Sequence, residues 1–198
     1  MKVTNFISMA TLAIVLLAGT SSCNNKQKSA ETLAAEEQAS GVLEVDSLLS
    51  NAEALTDKKV TLEGVCTHAC KHGATKIFLM GSDDTQIIRV EAATLGSFDT
   101  KCVNSIVRVT GTLKEQRVDE AYLLQWESQL KTAATGTHGE GQDEEAGCDS
   151  EKKARGETAN TPEARIADYR ARIAKREAEQ GKAYLSFYYV EAAKYEIQ

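Results

Sequence analysis

Between positions 59 and 128 the chain changes to a strand-like period in successive short runs, and that limits what it can fold into more than any other feature. Val60, Leu62 and Gly64 alternate with Thr61, Glu63 and Val65, which predicts a first strand. KIFLM at 76–80, QIIRVEA at 86–92 and SIVRVTGTL at 105–113 predict the next three. Gly81-Ser82-Asp83-Asp84 has the composition of a hairpin turn. Residues 93–102 break the alternation and leave room for a short helix. After a charged loop at 115–120, AYLLQW at 121–126 predicts a fifth strand. Gly111 inside strand four predicts a bulge or bend.

Strand–strand–strand–helix–strand–strand is the order of a small Greek-key barrel. The succession VTLEGVC, KIFLMGSDD, QIIRVEA, SIVRVTGTL, AYLLQWE resembles the OB-fold domains of extracytoplasmic bacterial lipoproteins, over about 70 residues. The predicted class is therefore mainly β with helical additions (α+β): a five-stranded OB-like barrel, a short N-terminal helix and a C-terminal helical extension. The short helix lies within 42–55, with Asp46 as its N-cap and Leu48, Leu49, Ala52 and Leu55 at helical spacing. The barrel domain is expected over 42–130, an acidic flexible linker over 131–160 and a helical, aromatic segment over 161–198. In that last segment Thr161 caps a helix that Pro162 opens, Ile166, Tyr169 and Ile173 form its apolar stripe, and Gly181 stops it. The tyrosine-rich residues 182–198 suit helix and strand equally well, and helix is the form expected here.

The first 22 residues predict a signal peptide. Lys2 is the basic start, 6–18 is an apolar run, and Gly19-Thr20-Ser21-Ser22 leads to Cys23. The run is too short to span a bilayer, which needs about 20 apolar residues. This stretch resembles a Bacteroidetes-type lipoprotein signal, with Thr20 where an aliphatic residue is usual. The resemblance implies a lipidated Cys23, a tether over 23–41, a membrane partner through the lipid, and an extracytoplasmic address. Asn24 to Lys28 carry no acidic cluster, which favours the periplasm-facing side of the outer membrane.

Cys66-Thr-His68-Ala-Cys70-Lys-His72 places two thiols and two imidazoles within seven residues, in a chain of three histidines and five cysteines. These donors suit zinc, with copper as the alternative. In an ideal strand Cys66 and His72 would stand about 20 Å apart, at roughly 3.3 Å per residue, so the segment must curl to share one ion. Antiparallel pairing of strands one and four would bring Cys102 to the same barrel end. The candidate ligands are Cys66, His68, Cys70, His72 and Cys102. Two other readings stay open: a structural disulfide among Cys66, Cys70 and Cys102, and a redox-active thiol pair. His138 and Cys148, in the acidic stretch, are expected to be bystanders.

No hydrolase context surrounds Ser97 or Ser105, no carboxylates pair as acid and base, and no phosphate-binding glycine loop occurs. Net charge is −6, which disfavours phosphate backbones, so no nucleic-acid partner is expected. The expected function is a non-catalytic, lipid-anchored metal-binding module. The alternative is an envelope protein with a disulfide-held barrel, whose C-terminal segment docks a protein partner.

Overall fold

The computed structural model describes residues 41–71, 73–135 and 148–198. The signal peptide, Cys23 and the tether up to residue 40 lie outside the described residues, as do His72 and His138.

The alternating runs form the strands expected of them. β1 (Val42–Glu44) leads into two short helices, α1 (Val45–Ser50) and α2 (Ala52–Leu55). β2 (Lys59–Ala69), β3 (Lys76–Met80) and β4 (Ile87–Glu91) follow as an antiparallel meander. Two 3₁₀ turns, Ala93–Leu95 and Thr100–Cys102, then lead to β5 (Ile106–Val118). The later elements are α3 (Glu120–Thr135), α4 (Asp149–Ala154), α5 (Pro162–Gln180) and β6 (Leu185–Ile197). β2, β3, β4, β6 and β5 are neighbours in that order, and β5 pairs back onto β2 to close a five-stranded barrel. The closing pair is antiparallel, from Lys59 opposite Thr112 to Val65 opposite Ile106. The β4–β6 contact is parallel. This is an OB-like barrel with helical additions, and β1 adds in parallel beside β2.

The barrel interior holds Val60, Leu62, Cys66, Ile77, Leu79, Ile88, Val90, Val107, Val109, Leu113, Val190 and Ala192. Val45 and Leu48 of α1 pack into the same core. They approach because Gly64 has no side chain: a Cβ there would stand 2.8 Å from a Val45 methyl and 3.0 Å from the Met80 carbonyl oxygen. Asp46 does not cap α1, whose N-cap is Glu44. Its carboxylate instead accepts from the Ser82 backbone N–H at 2.9 Å and from the Ser82 hydroxyl, tying α1 to the β3–β4 turn.

Two assignments change. Residues 121–126 are not the fifth strand but the first turns of α3. The Asp119 carboxylate accepts from Tyr122 N at 2.9 Å and starts the helix. Tyr122, Leu123, Trp126 and Leu130 then recur at helical spacing and pack in one cluster. The fifth barrel strand is β6, over residues for which helix was the expected form. It runs beside β5 from Leu185 opposite Val118 to Ile197 opposite Val107. The expected irregularity at Gly111 is present, as a register shift between Thr110 and Gly111. There the bare glycine lies against the Glu191 backbone.

The barrel is therefore not contained within 42–130, and 161–198 is not an appendage. Of the expected linker, 131–135 belong to α3 and 149–154 to α4, while 136–147 lie outside the described residues. α5 begins and ends as its caps predict: Thr161 Oγ1 accepts from Ala164 N, Pro162 opens the helix, and Gly181 closes it at φ 70°. Ile166, Tyr169 and Ile173 face a second core with Val118, Leu123, Trp126 and Leu185. Arg170 joins α5 to α3 through Glu120 at 2.6 Å and Glu127 at 2.7 Å. Among the described residues no helix is long and apolar enough to cross a membrane.

Candidate metal centre

The arrangement of the thiols and imidazoles follows from a bulge in β2. Cys66 is opposite Leu79 and His68 is opposite Phe78, so Thr67 is an extra residue on that strand. Without the bulge, Cys66 and His68 would share a face. With it they part. Cys66 joins the barrel core with Leu79, while the His68 ring lies 5.9 Å from that of Phe78. The His68–Phe78 pair continues across the sheet as Arg89 opposite Phe78 and Tyr189 opposite Arg89. Arg89 stacks over the Tyr189 ring at 4.6 Å.

α4 reaches this row of residues. Its Glu151 carboxylate pairs with Arg89, accepts from Arg155 at 3.1 Å and stands 3.8 Å from the Lys76 ammonium. Burial acts to raise the Glu151 pKa, but Arg89, Arg155 and Lys76 outweigh it and hold the carboxyl below its ordinary value. One turn earlier, Cys148 is the N-cap of α4, its carbonyl accepting from Lys152 N at 3.0 Å. Seating Glu151 thus brings Cys148 to the end of β2. Cys70 lies just past that end, where its N–H donates to Lys76 O at 2.9 Å and its carbonyl accepts from Ala74 N at 3.0 Å.

The result is a group of three donors. A ring nitrogen of His68, Cys70 Sγ and Cys148 Sγ all lie within 4.8 Å of one another, and each residue is half-buried. His68 Nε2 is buried with no hydrogen-bond partner among the described residues, a costly state for an imidazole nitrogen unless something binds it. Burial pushes the Cys70 thiol up to about 11, with the neighbouring Cys148 adding to the rise and Lys76 opposing it. Two thiols and an imidazole form a donor set suited to zinc or copper(I). Zinc holds sulfur at about 2.3 Å and nitrogen at about 2.0 Å, which puts tetrahedral ligands roughly 3.5–3.8 Å apart.

Of the five donors expected from the sequence, His68 and Cys70 belong to this group, Cys66 and Cys102 lie in the barrel core, and His72 is outside the described residues. Cys66 and Cys102 are neighbours, as antiparallel pairing of β2 and β5 requires: Cys66 N donates to Ser105 O at 2.9 Å and Asn104 N donates to Cys66 O at 2.8 Å. Both are fully buried inside the barrel. Burial pushes the Cys66 thiol up to about 11, and Cys102 adds to it. The bulge at Thr67 puts them on the other side of the sheet from His68. Cys66, Cys70, Cys102 and Cys148 are all free thiols. Cys148, expected to be a bystander, is the donor of this group that sequence reasoning missed. Its signal was faint: a single thiol in a polar stretch, followed by the short helical segment DSEKKA. Two C-terminal aromatic residues have ring partners within the chain. Tyr195 stacks edge-on with Phe98 at 5.1 Å, and Phe187 with Tyr169 at 5.7 Å.

Compared with known protein families, with curated proteins and with solved structures, the chain has no match.

Proposed function

We propose that this chain is a lipid-anchored envelope protein whose OB-like barrel binds a transition metal, without catalysis, at His68, Cys70 and Cys148. The observation that carries the reading is the convergence of one imidazole and two thiols within 4.8 Å. Cys148 reaches the other two from a distant part of the chain, and His68 Nε2 is buried without a hydrogen-bond partner among the described residues. Zinc is the expected ion and copper(I) the alternative, since both accept mixed thiolate and imidazole ligands. Three protein ligands leave a position for a water or an exogenous ligand. The anchor rests on the sequence alone: the apolar run at 6–18 and the small residues before Cys23. Acyl chains at Cys23 would hold the barrel near a membrane surface on the tether that follows.

Zinc titration of the full chain, purified reduced and without a tag, tests the metal reading. One equivalent bound by the parent and little by Cys70→Ser or His68→Ala supports it. Less than about a tenth of an equivalent on the parent removes it. The anchor is tested separately. In a bacterial host the parent should partition with membranes and carry acyl mass on Cys23, and Cys23→Ser should lose both.

A further inference from the structure

Resting on the reading of His68, Cys70 and Cys148 as a metal site, we infer that Cys70 and Cys148 are also a reversible disulfide pair whose oxidation empties that site. Both sulfurs belong to a group only 4.8 Å across, and a disulfide needs about 2.05 Å between them. The approach is less than the length of two bonds. The backbone at each end can supply it. Cys70 stands beyond the last residue of β2, in a turn that runs through Gly73 at φ 75° and Ala74 at φ 49°. Cys148 stands before the first residue of α4, in extended backbone. Neither residue is part of a strand ladder, so closing the bond breaks no sheet register.

Accessibility makes the pairing selective. Cys70 and Cys148 are half-buried and reachable, whereas Cys66 and Cys102 have no exposed surface. The two fates of the surface pair exclude each other, because the sulfur electron pairs that bind the ion are the ones that enter the new bond. The oxidant class is a low-molecular-weight disulfide. The Cys70 thiolate attacks one of its sulfurs, its S–S bond breaks, and the first small thiolate leaves. The Cys148 thiolate then attacks the Cys70 sulfur and expels the second small thiolate. The protein loses two electrons, the donor disulfide gains them as two thiolates, and zinc departs as a dication. The new bond still joins β2 to the head of α4, so Glu151 stays seated and the fold is kept. Only His68 is left without its co-ligands.

The test uses the full chain and oxidised glutathione, with a non-reducing peptide map that reads every cysteine separately. On metal-free protein the expected result is one link, Cys70 to Cys148, with Cys66 and Cys102 alkylated only after denaturation. A link from Cys66 to Cys102 or to Cys70, or glutathione adducts without a Cys70–Cys148 link, overturns the inference. On zinc-loaded protein, one equivalent of zinc should appear in solution in step with the link and return to the protein after reduction. Zinc retained on fully linked protein overturns it as well. His68→Ala separates the two readings: it should lose zinc binding and still form the link. If the reduced parent takes up no zinc, the metal reading fails by itself, and the map on metal-free protein still decides the disulfide.

Discussion

Arg89 of β4 and Glu151 of α4 form an ion pair in which each side chain is only about a tenth exposed, at 11% and 10%. This pair joins the far side of the acidic stretch to the barrel, and it sets where Cys148 stands. Arg89 also stacks on Tyr189 and lies 3.2 Å from Glu91, so its guanidinium is held by three partners. The His68–Cys70–Cys148 group and the fold therefore share one fastening.

Removing the carboxylate should cost both. Glu151→Ala leaves Arg89 and Arg155 buried without their anion. Breaking a buried pair from one side costs about 3–5 kcal/mol. Urea denaturation should show a loss near the lower end, because Glu91 still faces Arg89. Zinc affinity should fall with it, since α4 no longer presents Cys148 to Cys70. An unchanged midpoint would contradict this placement of Glu151.

Acid should act through the same group. The Glu151 carboxyl is held below its ordinary value of 4.5, with burial opposing and three cations prevailing. A depressed folded value means that its stabilisation is complete above the unfolded value. That stabilisation is lost as pH falls through the folded value. Stability measured between pH 6 and pH 3 should therefore decline more steeply for the parent than for Glu151→Gln, which has nothing to protonate.

Zinc binding should strengthen with rising pH. The Cys70 thiol, pushed up to about 11, is protonated at neutral pH and must lose its proton to ligate. Each proton released adds up to about a factor of ten in affinity per pH unit below that value. Competition titrations at pH 6, 7 and 8 should show at least this slope. A flat profile would mean that no thiol is deprotonated on binding.

Cys148→Ser tests the ligand that lies far from the others in sequence. Outer-sphere changes around a metal cost about 10–100-fold in affinity, so loss of a ligand should exceed about a hundredfold. Cys102→Ser, inside the barrel, should keep the stoichiometry of one zinc. Equal loss in both variants would return the site to the barrel interior.

Gly111→Ala probes closure of the barrel. Its Cβ would press on the Glu191 backbone and stand 2.8 Å from a Val190 methyl. Overpacking of this kind costs about 1–3 kcal/mol. The loss should appear as a lower denaturant midpoint.

Much of this was legible in the residues. The alternation of β2 to β5, the bulge at Gly111, the capped helix from Thr161 to Gly181 and the proximity of Cys66 to Cys102 all follow from local pattern or from one antiparallel pairing. Steric preferences of the backbone act over a few residues, so a sequence displays them directly. Two segments could not be read this way. AYLLQW is apolar enough for a strand, and only Asp119 and the second core make it helix. The segment from Leu185 to Ile197 satisfies two periodicities, and only the open edges of β4 and β5 choose between them.

The donors around Cys66 were visible from the start, but which of them meet was not. That depended on one extra residue, Thr67, that turns His68 away from Cys66, and on a buried ion pair that carries Cys148 across the chain. Short-range alternation names the strands. A register shift and a long-range docking contact are settled by free-energy differences between whole packed arrangements, which no single stretch of residues contains.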